Sequence, residues 1–317
     1  MSDCPSPPLA ISIGIFALLL LGCSEASDGT SSGAWTIQEG ALTLTETLRA
    51  GDDEDYFFGE IADVAVRADG RIYVADEESS HVKVLGPDGA LQDSVGRKGE
   101  GPGEFQRLSQ VVLARGDSMY VLDTRRSQVS VFAPDGEFAY SFLARHKGGG
   151  VSKVMVPPNV SGFVYADAPG ARAVLENDAS YVVLPGWSNG EFGDTLFTAP
   201  PYEVASREEG GTTIFMFLPF ARSSVFAMGP NGRIHSGWQD SLRIVVHDQE
   251  GGMQRAVEIP FKPVPVSEEE RKEALSGRTG ESLTILKREI ANTKPAFEHF
   301  LVDDEGRYWF GRPTTNP

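Results

Sequence analysis

The sequence predicts an all-β protein built from repeated four-stranded units. The 317-residue chain contains 35 glycines and 20 prolines, as expected for many short strands joined by turns. Long segments with helical periodicity are few, whereas short segments of alternating apolar residues are frequent. Residues 62–89 and 109–136 also repeat each other without a gap. These three observations together predict a β-propeller, in which each repeated unit forms one blade.

The internal repeat defines the strands of a blade. Tyr73 aligns with Tyr120, and the Pro-Asp-Gly turn at 87–89 aligns with the one at 134–136. Each copy contains three short alternating segments separated by turn residues, and a fourth segment follows at 91–95. Four antiparallel strands within about 40 to 50 residues is the period of a propeller blade.

Fainter copies of the same turn place the later blades. The segments PNGRIHSGW at 230–238 and DEGRYWFG at 304–311 repeat ADGRIYVAD at 68–76. Blade starts are therefore predicted near residues 61, 108, 152, 223 and 297, and the third is placed only loosely. His235 takes the position of Tyr73, so we expect its ring to pack between blades rather than to catalyse.

Two aspartates end matched segments of the first two blades. Asp76 and Asp123 both follow a Tyr-Val pair, and matched carboxylates could in principle form a catalytic pair. Each lies directly before a tight corner, however, where an aspartate accepts hydrogen bonds from backbone amides. We therefore expect both carboxylates to be structural.

The glycine-rich stretch VGRKGEGPGEFQRLSQVVL, residues 95–113, could be a phosphate-binding loop or a connector. A phosphate-binding loop ends in Gly-Lys-Ser/Thr and opens a helix. Here Lys98 comes too early, no hydroxyl follows it, and the paired valines near the end favour a strand. The pattern predicts a connector between the first two blades, in which Gly101 and Gly103 serve the fold.

The motifs YVAD at 73–76, GPDG at 86–89 and GRKGEGPGEF at 96–105 resemble repeats of the NHL class and of bacterial six-bladed β-propeller lipoproteins. The resemblance is specific over residues 58–142. It implies six blades within a domain of residues 34–317, with the last blade incomplete. Closure of the ring is then expected to use a strand from the amino-terminal end, within AWTIQEGALTLTETL, unless the reading frame is truncated.

Two insertions interrupt the repeat. The first, at 197–224, mixes aromatic and charged residues. The second, near 267–292, predicts helices, because Ser267 and Glu270 form a capping box and Gly277 supplies a helix end. Inserted helices at one mouth of the channel either shape a binding site or form a solvated cover, and the sequence leaves both alternatives open.

The amino terminus resembles the export signal of a bacterial lipoprotein. Residues 9–21 are apolar but too few to cross a bilayer as a helix, and Leu-Leu-Gly leads directly into Cys23. The resemblance implies a signal peptide at 1–22, a lipid on Cys23 and a flexible tether at 23–33. It places the protein in the bacterial cell envelope, on the outer membrane or facing the periplasm. The alternative is that Cys23 is an ordinary small residue near a cleavage site.

Charge and cysteine content exclude several classes of function. The formal net charge is −17, which opposes nucleic-acid binding because such binding depends on clustered lysine and arginine. Cys4 and Cys23 are the only cysteines. Once the signal peptide is removed, neither a disulfide framework nor a cysteine-based metal site can form.

The repeat also predicts which residues lie at the mouth of the channel. The equivalent position before the first strand of each blade is occupied by Asp63, Gln110, roughly Met155, Val225 and His299. We expect Asp63, Gln110 and His299 to converge as a ligand-binding mouth. None of the five is lysine or arginine, so this mouth should prefer a neutral or cationic ligand to an anionic one. Met155 and Val225 give the mouth an apolar half beside this polar one. Such a mouth suits an amphipathic organic ligand or a peptide.

Two functions remain open at this point. Related propellers, the gluconolactonase-like hydrolases and the peptidylglycine lyase, hold a metal in the channel, so the resemblance allows a channel-site hydrolase or lyase. A catalytic metal commonly needs three or more protein ligands, and glutamine is a weak one. We therefore expect no metal, no cofactor and no catalytic residues. The leading hypothesis is a lipid-anchored module that binds a small organic ligand, a peptide or an envelope protein.

Overall fold

The computed structural model describes residues 45–53, 56–114, 116–146, 150–157, 162–176 and 179–313, together with strands β1 (Leu19–Leu20) and β2 (Gln38–Glu39). Cys23, the predicted tether and the predicted signal peptide apart from β1 lie outside the described residues. Strands β1 and β2 pair with each other, as do β3 (Asp52–Asp53) and β4 (Tyr56–Phe57).

Four sheets of four antiparallel strands follow along the chain. The first blade contains β5 (Ile61–Val66), β6 (Ile72–Asp76), β7 (His81–Leu85) and β8 (Leu91–Val95). The second contains β9 (Leu108–Leu113), β10 (Met119–Asp123), β11 (Gln128–Phe132) and β12 (Phe138–Leu143). The third contains β13 (Gly150–Met155), β14 (Phe163–Ala168), helix α1 (Ala171–Leu175), β15 (Tyr181–Gly186) and β16 (Phe197–Ala199). A separate hairpin of β17 (Val204–Glu209) and β18 (Thr212–Phe217) comes next.

The fourth blade contains β19 (Ser224–Met228), β20 (Ile234–Trp238), β21 (Arg243–His247) and β22 (Met253–Glu258). Helices α2 (Glu268–Ala274) and α3 (Gly280–Glu289) follow it, and the fifth blade consists, in the described part of the chain, of β23 (His299–Val302) and β24 (Tyr308–Gly311). The first strands of successive blades contact each other in the order β5, β9, β13, β19 and β23. These inner strands surround the channel of a propeller, as predicted, and all five blade starts fall within two residues of the predicted ones.

The apolar core lies between neighbouring blades. Tyr73 and Ala75 on β6 share one cluster with Val111 and Val121 of the second blade, and Phe105 is fully buried within it. Similar clusters join the second blade to the third, the third to the fourth and the fourth to the fifth. Each blade therefore covers an apolar face of the next. In an isolated four-stranded sheet these apolar faces would be exposed to water.

The other face of the first blade packs against the segment that precedes it. Val74 and Leu85 lie against Tyr56, whose hydroxyl donates a hydrogen bond to the carbonyl of Gly89 at 2.5 Å. The closing strand predicted from the amino-terminal end lies outside the described residues, apart from 38–39 and 45–48.

The glycine-rich stretch is the predicted connector between blades. The amide of Phe105 donates to the Arg97 carbonyl at 2.8 Å, and the Gly99 amide donates to the Phe105 carbonyl at 3.0 Å. The Glu104 carboxylate accepts a hydrogen bond from the Gly101 amide at 2.8 Å. The loop thus satisfies its backbone internally and anchors the fully buried Phe105 ring between two blades.

The two repeated aspartates are structural, as predicted. The Asp76 carboxylate accepts from the amides of Glu60 at 3.1 Å and Ser79 at 3.5 Å, and it forms an ion pair with Lys83. The Asp123 carboxylate accepts from the amides of Gln106 at 2.7 Å, Arg107 at 3.3 Å and Arg126 at 3.1 Å. Each buried carboxylate therefore ties the entry of its blade to the corner after the second strand.

The helical insertion also forms as predicted. Ser267 and Glu270 form a reciprocal capping box at the start of α2, and Gly277 follows that helix with φ of 73°. Helices α1 and α3 both contact β17, so the insertions support the hairpin between the third and fourth blades. No helix in the described part of the chain is long and apolar enough to span a membrane.

We predict that Gly103→Ala lowers the free energy of unfolding by about 1 kcal/mol or more, because Gly103 has a φ of 71° and only glycine adopts this region cheaply. A Cβ at this position would meet Phe138 at an ordinary 3.4 Å, so the loss reflects backbone strain. Gly101 is absent from the positive-φ residues, but a Cβ there would meet the Glu104 carboxylate at 3.0 Å. The control is Gly150→Ala, because Gly150 has no positive φ and a Cβ there would meet nothing within 4 Å. Urea unfolding measures both, and equal stability of the two variants would contradict the prediction.

Candidate functional site

The three residues predicted at the channel mouth occupy equivalent positions on inner strands. Asp63 pairs with Ala75, Gln110 with Leu122 and His299 with Gly311, and these partners are at matching places on the second strands. The structure thus places all three at one level of the ring, in the first, second and fifth blades. Whether they bind a ligand together stays a prediction.

Two of these side chains join neighbouring blades. The Asp63 carboxylate accepts a hydrogen bond from the Val111 amide of the second blade at 3.2 Å. The Gln110 side chain is buried, donates to the Val154 carbonyl of the third blade at 2.9 Å and accepts from the Val154 amide at 2.9 Å. Both atoms of the Gln110 amide are therefore engaged by the fold.

The equivalent position in the third blade is Lys153 rather than the expected Met155. Lys153 pairs with Ala166 after a register shift, as Asp63 pairs with Ala75 after one. Burial raises the pKa of Asp63, and the nearby positive charge of Lys153 opposes that rise. A mouth without cations was expected, and this expectation was wrong, because the third blade lacks the turn sequence that aligns the other blades and its first strand begins at Gly150, two residues before the predicted start.

A cleft of about 980 Å³ lies at the same end of the inner strands. Its floor includes Ala62, Ser109, Ser152 and Ser223, which stand at the starts of the first four inner strands. The hydroxyl groups of Ser109 and Ser152 donate to carbonyls of the neighbouring strands at 3.1 and 2.9 Å. The floor is therefore made of small side chains whose polar groups are already satisfied, which leaves room for a ligand.

The wall of the cleft is aromatic and comes mostly from the first insertion. Tyr181, Tyr202, Phe217 and Phe220 line it together with Leu218. The rings of Tyr202 and Phe217 lie 6.0 Å apart, and 77% of Phe217 is exposed. The sequence indicated an aromatic and charged insertion here, but an insertion outside the repeat has no internal alignment that could assign these side chains to the mouth.

Two ion pairs lie on the rim. The Arg107 guanidinium is 3.2 Å from the Glu77 carboxylate, and the Arg222 guanidinium is 3.6 Å from the Glu203 carboxylate. Arg222 also donates to the Thr293 hydroxyl at 2.8 Å, which links the rim to the segment after α3. Because each cation faces an anion, the four groups leave the rim without net charge.

His235 is a packing residue, as predicted. It is 4% exposed, its Nδ1 lies 2.8 Å from the Tyr308 hydroxyl, and the two rings meet edge to face between the fourth and fifth blades. Burial lowers the pKa of His235 to about 4. The imidazole is therefore neutral at neutral pH and takes no part in the mouth.

The arrangement of the cleft suits binding more than metal chemistry. Among the described residues, no three His, Cys, Asp or Glu side chains are grouped so that they could hold a metal ion. The aromatic wall and paired charges instead form an apolar surface with a polar rim, which is typical of a site for an organic ligand or a peptide.

Comparison with known proteins supports the fold. Residues 52–141 match the model of a family described as a 6-bladed beta-propeller, DUF5128. No curated protein matches the chain. The matched residues cover the first two blades, where the internal repeat is clearest. The number six comes from that family, whereas the described part of this chain contains five inner strands.

Several solved structures are also similar to this chain. They include a protein described as exported from Bacteroides fragilis NCTC 9343, with 14% identity over 72% of this chain and 59% of that chain and a TM-score of 0.46. A catalytically inactive virginiamycin B lyase from Staphylococcus aureus, solved with quinupristin, shows 9% identity over 65% of this chain and 58% of that chain, with a TM-score of 0.38. This chain therefore spans about three-fifths of the length of these two proteins.

We predict that His235 makes the fold sensitive to acid. Its pKa falls from an ordinary 6.5 to about 4 in the folded protein, so the unfolded chain binds the proton more tightly. The stability that this residue contributes is complete above pH 6.5 and is lost as the pH falls toward 4. Between pH 7.5 and 4.5 the native protein should lose about 2.5 kcal/mol more of its free energy of unfolding than His235→Phe loses. Urea unfolding at both pH values measures it, and an equal loss in the variant would exclude this effect.

Proposed function

We propose that this protein is a binding module whose cleft at the channel mouth takes an amphipathic organic ligand or an extended peptide, with no catalysis in that cleft. The observation that carries the proposal is the 980 Å³ cleft with its aromatic wall and charge-paired rim. An apolar side chain of the ligand would lie against Tyr202 and Phe217, and its polar groups would reach the ion pairs of the rim. The expected preference for a neutral or cationic ligand over an anionic one is not retained, because Lys153, Arg107 and Arg222 balance the carboxylates of Asp63, Glu77 and Glu203.

A channel-site hydrolase or lyase is the less favoured alternative. It requires polar side chains that are free to contact a substrate or a metal. The side chains of Gln110 and Asp63 instead form hydrogen bonds with the backbone of neighbouring blades. His299 is exposed, and its ring lies over Gly311. Among the described residues it belongs to no group of three side chains that could hold a metal ion. These features support binding over catalysis at the mouth.

We also propose that the module belongs to the NHL class and is held in the bacterial cell envelope by a lipid on Cys23. The repeated motifs at 73–76 and 86–89 support the class, and the Leu-Leu-Gly-Cys sequence after an apolar segment supports the anchor. The polar tether at 23–33 would let the propeller face a soluble ligand or an envelope protein.

The first test of the proposal compares two exposed phenylalanines. Phe217, on the cleft wall, is 77% exposed, and Phe57, outside the cleft, is 74% exposed. A peptide selected from a random library on the purified protein should bind Phe217→Ser about 10-fold more weakly, because one apolar contact worth roughly 1.4 kcal/mol is lost. Phe57→Ser is the matched control and should bind as the native protein does. Fluorescence anisotropy measures both affinities, and an unchanged affinity of Phe217→Ser would refute the cleft as the site.

The second test concerns the anchor. Buried acyl chains contribute about 0.8 kcal/mol per methylene, and more than one chain gives stable membrane attachment. Cys23→Ala should therefore move the protein from the membrane to the soluble fraction of bacterial cells. Cys4→Ala is the control, because Cys4 lies within the predicted signal peptide. Membrane retention of Cys23→Ala would disprove lipid attachment and would leave the binding proposal intact.

A further inference from the structure

The fourth blade contains a serine and a histidine that touch. The Ser236 hydroxyl on β20 lies 3.1 Å from Nε2 of His247 on β21, and both residues are 8% exposed. On its other side, Nδ1 of His247 lies 3.4 Å from the carbonyl oxygen of Gly251. A carbonyl only accepts hydrogen bonds, so Nδ1 carries the hydrogen and Nε2 accepts the Ser236 proton.

The other blades show that the fold does not require this pair. The register of the sheets gives Ser236 the position of Val74 in the first blade and Val121 in the second. His247 takes the position of Leu85 and Phe132 in the same way. All four of these residues are buried and apolar. In the fourth blade a hydrogen-bonded polar pair thus occupies two positions that are apolar in the first two blades. Burying polar groups costs desolvation free energy, so packing alone does not explain this pair.

The imidazole of His247 is held in place from several directions. The ring of Phe197 on the third blade stacks on it with the ring centres 3.6 Å apart. Gly251 is fixed by a turn in which its amide donates to the Asp248 carbonyl at 3.1 Å, and its φ is 87°. Any Cβ on Gly251 would collide with the backbone of Leu196. The carbonyl that orients the imidazole is therefore a rigid part of the contact between two blades.

Both side chains open onto a cavity of about 460 Å³ between the third and fourth blades. Trp238 and Val245 supply apolar lining, and Arg243 and Asp240 supply one positive and one negative group. The described linings of this cavity and of the cleft at the mouth have no residue in common. Burial also lowers the pKa of His247, which keeps the imidazole neutral and able to accept a proton at neutral pH.

The geometry points to Ser236 as an activated nucleophile, with His247 as its base, that reacts with a carboxylic ester carrying a short apolar acyl group. A nucleophile bonded to a base that a third group orients is the arrangement of serine acyl transfer. As the Ser236 oxygen bonds to the acyl carbon, its proton passes to Nε2 of His247. That proton then leaves with the alcohol as the ester bond breaks. Water, deprotonated by His247, cleaves the acyl-serine, releases the acid and returns the proton to Ser236. Arg243 lines the cavity, and its guanidinium, which is 4.0 Å from the Glu258 carboxylate, is the positive group that would stabilise negative charge on the acyl oxygen.

Covalent labelling with a fluorophosphonate tests this inference on the full-length protein. The probe should label Ser236, as identified by peptide mass spectrometry, and p-nitrophenyl butyrate should give a burst of nitrophenol. Loss of the base in His247→Gln should slow labelling by about 100-fold or more. Ser80→Ala is the matched control and should be labelled at Ser236 as fast as the native protein, because Ser80 is also buried but its hydroxyl donates to the Glu77 carbonyl rather than to an imidazole.

A second variant separates chemistry from folding. Ser236→Val combined with His247→Leu restores the pair of residues found in the first blade, so the protein should remain folded with a melting temperature at least equal to the native one, and labelling should disappear. Absence of the label from Ser236 in the folded native protein would overturn the inference. Equal labelling rates of Ser236 in the native protein and in His247→Gln would also overturn it, since the imidazole would then have no effect on the serine.

Discussion

The structure depends on the need of each blade to cover the apolar face of its neighbour. A sheet of four short strands buries one face poorly on its own, and the clusters between blades supply the missing contacts. Polar groups reinforce this packing where the inner strands meet. Asp63 and Gln110 each reach the backbone of the next blade, so the register of one blade fixes the position of the following one. These contacts explain why Asp63 and Gln110, which the sequence predicted as ligand-binding residues, hold neighbouring blades together.

The repeat made most of the fold predictable from the sequence. Matched turns and matched aspartates identified the strands of the first two blades, and the corner carboxylates of Asp76 and Asp123 formed as expected. The third blade was harder, because it lacks the turn sequence that aligns the other blades, and Lys153 lies where simple alignment placed Met155. The register shift before Lys153 also occurs in the first blade, so it does not explain the difference. Without the turn, an alignment of short apolar segments leaves the start of a strand uncertain by about two residues.

The candidate sites were less predictable than the fold, for two different reasons. The aromatic wall comes from an insertion that has no counterpart elsewhere in the chain, so nothing in the repeat indicated where Phe217 and Tyr202 would lie. Ser236 and His247 are different, because the repeat does cover them. Comparing blades position by position would have shown two polar residues where Val74 and Leu85 stand, although only the sheet register brings the two side chains together.

The hairpin of β17 and β18 forms its own two-stranded sheet and, within the described residues, pairs with no blade. It contacts α1 and α3 and places the Phe217 ring at the cleft, next to Tyr202 and Phe220, which flank the hairpin. If the cleft binds a ligand as proposed, selectivity depends on this hairpin and stability depends on the packing between blades. Changes in the length or composition of the hairpin would then alter the ligand of the cleft while leaving that packing untouched, so one propeller could acquire new ligands through variation at a single loop.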